Sequence, residues 1–165
     1  MGANEGLRTL FLLSHSHFAM NGVKIEIRSD PSQVERDLLF SSLAKFNESQ
    51  VGDARFKEFG IFAYGESESI IAGLLGFILW NGFFISTLWV DEPLRRKGMG
   101  RQLLAKAEEL AIQNGCCLIH LDTFDFQARG FYEKNGFHVF GAIEDYPIGH
   151  KRYYLLKRLR RQLNE

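Results

Sequence analysis

The feature that most constrains this chain is a change of period. Residues 57–90 alternate in the manner of strands, and residues after about 99 repeat in the manner of a helix. Within the first stretch, Asn81-Gly82 sits between two apolar runs, 69–80 and 83–90. A two-residue Asn-Gly link of this kind is a strong hairpin signal, because both residues tolerate positive φ. With a further strand over 59–64, residues 57–90 read as an antiparallel meander. Beyond it, Leu103, Ala107, Leu110 and Ala111 share one helical face, and Gln102, Lys106, Glu109 and Gln113 share the opposite one. Asn114-Gly115 stops that helix. The apolar run 117–121 follows as a buried strand. Strand, helix and strand over 83–121 then require one parallel pairing in an otherwise antiparallel sheet.

The flanks extend this plan. Val23, Ile25 and Ile27 alternate with charged residues and predict a half-buried strand. Asp30 reads as a helix cap, with Pro31 at the first helical position and Gln33 completing a capping-box-like pattern. Val34, Leu38, Leu39, Leu43 and Phe46 form the apolar face of that helix up to about Asn47, and 48–57 reads as a short second helix or a loop. Residues 126–134 predict a short helix capped by Asp125 and stopped by Asn135-Gly136, with closing strands over 137–141 and 152–156. The fold class expected is α/β (α+β): a mixed, mostly antiparallel twisted sheet of six to seven strands, flanked by about four helices. Its single domain spans 21–160. Residues 1–20 read as a flexible extension, with Met20 as an alternative start.

Composition bounds the function. Twenty basic and twenty acidic residues leave a formal net charge of zero over 165 residues. That excludes a polybasic surface for nucleic acid or membrane lipid. No run reaches the ~20 apolar residues of a spanning helix, and the apolar stretch near Leu10 is cut short by Ser14-His15-Ser16-His17, so it is no signal peptide. Cys116 and Cys117 are adjacent, poorly placed to bridge each other or hold a metal. A reducing cytoplasm without a metal centre fits them.

Charge is nevertheless concentrated at one place. Arg95, Arg96, Lys97 and Arg101 surround Gly98-Met99-Gly100 at the start of the best-formed helix. Cations are the wrong sign there, because a helix N-terminus already carries partial positive charge and unpaired N–H groups. They make sense if an anion binds, with the glycines letting it approach the amides. The alternative is a solvated basic turn. Neither the Walker loop nor the dinucleotide fingerprint is present.

The segment Arg95-x-x-Gly98-x-Gly100 resembles the Gln/Arg-x-x-Gly-x-Gly/Ala hallmark of the GNAT superfamily of acyl-CoA-dependent N-acetyltransferases. A second motif, Asp125-x-x-Ala128-x-x-Phe131-Tyr132-Glu133-Lys134-Asn135-Gly136-Phe137, resembles that family's Asn-x-x-Ala-x-x-Phe-Tyr-Glu-Lys-x-Gly-Phe. The resemblance covers about 22–157. It implies that amides over Arg96, Lys97, Gly98, Met99, Gly100 and Arg101 hold the pyrophosphate of acetyl-CoA, and that Leu88, Trp89 and Val90 pair with its pantetheine arm. Asp125, Ala128 and Phe131 would line the same arm, and Tyr132 would be the general acid toward the departing thiol. Taken alone, a tyrosine placed like Tyr132 is usually an amphipathic core residue. Two departures stand out. Asp125 replaces the usual Asn, and 83–89 has no carboxylate to act as base, leaving Asp122, Asp125 and Glu92 as candidates.

The expected activity is acetyl transfer from acetyl-CoA to a primary amine by direct attack in a ternary complex. The alternatives are a non-catalytic acyl-CoA-binding sensor and an unrelated nucleotide-phosphate binder. Aminoglycosides, polyamines, amino acids and protein amines are all candidate acceptors, and Asp145-Tyr146-Pro147-x-Gly149-His150 is either part of their pocket or a plain turn. A homodimer is expected by resemblance alone. His120 reads as a core histidine.

Overall fold

The computed structural model describes residues 23–159. The expected extension over 1–20 and the end of the basic tail lie outside them. The chain divides between Ser42 and Leu43 into two units. In the first, no strand forms over 23–28, contrary to expectation. Alternation supplies a face, but a strand also needs an edge to pair with. Helix α1, Gln33–Val51, begins in this unit and ends in the second. Its cap is Ser32 rather than Asp30. Ser32 Oγ accepts from Glu35 N–H at 3.3 Å, and Glu35 accepts from Ser32 N–H at 2.7 Å. This is a reciprocal capping box that the sequence spells as Ser-x-x-Glu two residues later than expected. These bonds hold the Glu35 carboxyl below its ordinary pKa.

The second unit holds a six-stranded sheet: β1 Lys57–Tyr64, β2 Ile70–Leu79, β3 Gly82–Val90, β4 Leu118–Phe124, β5 His138–Glu144 and β6 Lys151–Arg158. Their order is β1-β2-β3-β4-β6-β5, and only β3 and β4 run parallel. The crossover between them is a 3₁₀ turn, Glu92–Leu94, and helix α2, Met99–Gln113. Helix α3, Arg129–Lys134, links β4 to β5. The mixed, mostly antiparallel α/β architecture is as expected. Among the described residues three α-helices form rather than about four, because α1 runs on through 48–51 to a left-handed Gly52 (φ 80°) and 52–56 is irregular. The core is built where α2 lies on the sheet. Leu103, Leu104, Ala107 and Ala111 meet Leu74, Ile78, Phe83, Ile85, Ile119, Leu121 and Leu155, with Cys116 among them. Burial pushes the Cys116 thiol pKa up, so it behaves as a small apolar residue. Among the described residues no helix is long and apolar enough to cross a membrane.

The hairpin is present, but its turn is one residue early. Leu79 pairs with Gly82, so Trp80 and Asn81 form the loop, and Trp80 carries the positive φ of 52°. Trp80 is held there by its N–H, which donates to Ala54 O. Gly82 serves a different need: a Cβ there would lie 3.2 Å from Leu118 Cδ1, where β4 begins. Strand β4 runs three residues past the expected end. Helix α3 starts three residues later than expected, because Asp125 is drawn away from it. Asp125 accepts from Lys151 N–H at 3.2 Å and contacts His150 Nδ1 at 3.0 Å.

Candidate active site

The parallel pairing of β3 and β4 lasts four residues, from Gly82↔Leu118 to Ile85↔Leu121. Beyond it, each strand keeps only its outer partner. β3 stays on β2 to Val90↔Ala72, and β4 stays on β6 to Phe124↔Arg152. The separation begins at a bulge. Leu75 pairs with Thr87 and Gly76 with Ile85, leaving Ser86 as the extra residue, its hydroxyl donating to Leu75 O at 3.2 Å. The bulge shifts the strand's phase, bringing Leu88 and Val90 opposite Leu74 and Ala72, both fully buried. The two inner edges therefore face a cleft of about 1250 Å³ with ladder groups free to bond an extended ligand.

The start of α2 forms one wall. Gly98, at φ 89°, is the N-cap and supplies no side chain to bond the first-turn amides. The first helical bond is Gln102 N–H to Gly98 O, so the N–H groups of Gly98 to Arg101 remain available, whereas Lys97 N–H, expected among the free amides, donates to Leu94 O at 3.4 Å. A Cβ on Gly100 would lie 3.1 Å from Phe131 Cζ, so glycine lets this turn sit directly against α3. Arg95 Nε donates to Val90 O at 3.1 Å, fastening the turn to the end of β3, and Asp91 Oδ1 accepts from Glu92 N–H at 2.8 Å.

Tyr132, on α3, lines the same cleft. Its ring is 7% exposed and wedged edge-on between Phe131 and Phe137, at centroid distances of 5.2 and 5.9 Å. Burial, helped by the negative charge of Asp122, pushes its pKa up to about 12. The phenol is therefore fully protonated at neutral pH. Asp122 itself is gripped by Arg152, whose Nε and Nη2 both reach Oδ2 at 2.7 Å. His120 lies beside Phe84, ring centroids 5.0 Å apart, and burial lowers its pKa, so it is a neutral packing residue.

Eleven of the residues singled out in the sequence lie on this cleft: Leu88, Trp89, Val90, Arg95, Arg96, Gly98, Gly100, Arg101, Ala128, Phe131 and Tyr132. Three do not. Met99 packs against the core, Lys97 is exposed off the cleft wall, and Asp125 is held by His150 and Lys151. Sequence reasoning missed Phe124, Phe126 and Gln127, which are also on the wall. Gln127 Oε1 accepts from Thr123 Oγ1 at 3.0 Å and from Phe124 N–H at 2.9 Å, tying off the end of β4. Thr123 and Phe124, both strand-favouring residues, were the available signal that β4 reaches this far.

A mixed sheet opened between its two parallel strands, with a glycine-rich helix start and a protonated tyrosine lining the opening, defines an acyl-transfer class of fold. Residues 25–137 match the model of the Acetyltransferase (GNAT) family, and the chain belongs to that family and is an acyltransferase. It is 35% identical over 129 residues to the blasticidin-S acetyltransferase of Streptomyces morookaense, covering 77% of this chain and 95% of that protein. A 1.9 Å crystal structure of an acetyltransferase from Bacillus cereus superposes with a TM-score of 0.74 at 34% identity, covering 81% of this chain and 98% of the other. The fold is also that of a Bacillus anthracis structure determined in complex with acetyl coenzyme A, with a TM-score of 0.56 and 24% identity over 62% of this chain and 63% of that one.

Proposed function

We propose that this chain, with 21–160 as one catalytic domain, transfers an acetyl group from acetyl-CoA to the primary amine of a small molecule in a ternary complex. The observation that carries this is the juxtaposition across one cleft of the α2 amide turn and the protonated Tyr132. The residues fit the donor. Unpaired amides and Arg96 and Arg101 suit a pyrophosphate, and the inner edges of 87–90 and of β4 up to Thr123, short of the Phe124 N–H that Gln127 takes, suit the amide groups of a pantetheine arm, as an added strand would. Acetyl-CoA supplies the activated thioester.

In this reading the cleft holds donor and acceptor in register, so proximity lowers much of the barrier. Tyr132 keeps its proton at neutral pH and delivers it to the departing sulfur as the carbon–sulfur bond breaks. The carboxylates considered as bases are occupied or remote from the cleft: Asp122 by Arg152, Asp125 by His150 and Lys151, and Glu92 in the 3₁₀ turn. The acceptor therefore enters as the free amine; after attack its cationic nitrogen releases one proton to solvent and keeps the other in the amide product, and Tyr132 regains a proton from solvent. The blasticidin-S acetyltransferase matches over nearly its full length and is named for a small molecule, which supports a small-molecule acceptor.

The test is release of free thiol from acetyl-CoA with a panel of amines, alongside calorimetric binding of acetyl-CoA. Saturable, amine-dependent thiol release is the expected result. Binding of acetyl-CoA without turnover of any amine would leave a sensor and overturn the enzymatic reading.

A further inference from the structure

The part of the cleft wall at the end of β4 carries chemistry that the transfer step does not use. Along β4, Leu121 and Thr123 are buried on the α2 side, so Asp122 and Phe124 lie on the opposite face, across from Tyr154 and Arg152 on β6. Phe126 stacks on Phe124 with centroids 5.2 Å apart and planes 4° from parallel. Both rings are on the cleft wall, and Phe126 is 58% exposed. The His150 ring stands edge-on to Phe126 at 4.9 Å, and Tyr146, 49% exposed, closes in on Phe124 at 6.2 Å. The turn that brings Tyr146 and His150 there is built by its own bonds: Tyr146 N–H to His150 O, His150 N–H to Pro147 O, and Gly149 N–H to Asp145 Oδ1.

Charge on the same wall narrows the ligand. Among the described residues the cleft presents Arg95, Arg96, Arg101 and Lys134 as cations and Asp122 as its carboxylate. Asp122 is committed to Arg152, whose guanidinium in turn lies 5.5 to 5.8 Å from the ring centroids of Phe124, Tyr146 and Tyr154. A polyamine, or a lysine in a basic peptide, would find no free carboxylate for its second charge. A flat ring would find a parallel aromatic shelf. We infer that the acceptor is a primary amine carried on a flat aromatic or heteroaromatic ring, held by stacking on the open face of Phe126. This rests on the acetyltransferase reading above.

The test is calorimetric titration of the CoA-saturated protein with tryptamine and with cadaverine, two primary amines that differ in the ring. Tryptamine is expected to bind about tenfold more tightly, the scale of one aromatic stack. Phe126→Ala, at an exposed position that the fold does not need, should abolish the preference, and Phe126→Tyr should keep it. Equal binding of the two amines, binding of neither, or a preference that survives in Phe126→Ala would overturn the inference. A protein that binds neither CoA nor acetyl-CoA would overturn the acetyltransferase reading and this inference together. One that binds CoA without preferring tryptamine overturns the inference alone.

Discussion

The two halves of the β3–β4 pair are built from the same strands and serve opposite ends. Over Gly82–Ile85 and Leu118–Leu121 the strands are zipped together, and Phe83, Ile85, Ile119 and Leu121 are at most 3% exposed. Over 87–90 and 122–124 the same strands stand apart, and Trp89, an aromatic residue in an equally apolar run, is 45% exposed. Apolarity does not distinguish the halves. What distinguishes them is which edges are paired: one extra residue at Ser86 turns β3 away, while β6 holds β4 on its own course. The lesson is that a strand stabilises the fold with a paired edge and recognises a ligand with an unpaired one.

Truncation should have opposite consequences in the two halves. Leu121→Ala leaves a hole in the closed half and is expected to cost about 3 kcal/mol of stability, as buried Leu truncations do. Leu88→Ala, half-buried against the cleft, should cost about 1 kcal/mol or less and instead weaken acetyl-CoA binding. Urea melts with and without acetyl-CoA check both. Equal destabilisation by the two substitutions would mean that the open half is core as well.

The contrast also explains what the sequence revealed. The meander and the parallel crossover were legible because strand and helix periods are local properties. The glycine-rich basic turn was legible as a candidate anion site because four cations at a helix start contradict helix stability. The Asp122–Arg152 pair was not, since its members are 30 positions apart and meet only through the β4–β6 register. Nor was Trp80 as a turn residue, because the preference of Asn-Gly for positive φ was overridden by an anchoring bond to Ala54. Asp125 reads as a cap by its position before α3, and it is captured instead by His150 and Lys151, partners 25 and 26 residues downstream.

Tyr132 joins the two halves, with its ring in the core and its edge on the cleft. Tyr132→Phe is expected to lower kcat about a hundredfold, the low end of general-acid contributions, and to change the KM for acetyl-CoA little. An unchanged kcat would remove Tyr132 from the mechanism. The same variant carries a pH signature. With a folded pKa of about 12 and an unfolded one of about 10, the native state binds more protons than the unfolded state between those values. Stability is thus full below pH ~10 and falls, by about 2 kcal/mol, as pH rises to ~12. Tyr132→Phe should lack that alkaline decline in thermal melts. A decline as steep as in the parent protein would assign it to other groups.

The smallest effect concerns Arg101, in the first turn of α2 and on the cleft wall. A cation there opposes the helix dipole, so Arg101→Ala should leave the melting temperature unchanged or slightly raised. It also removes a positive charge from the place assigned to the pyrophosphate, so acetyl-CoA binding should weaken roughly fivefold at low salt, with the difference shrinking as added salt screens the exposed charge. Stability and affinity then move in opposite directions, the mark of a residue kept for a ligand and not for the fold. A lower melting temperature with unchanged affinity would show that Arg101 belongs with the closed half of the molecule.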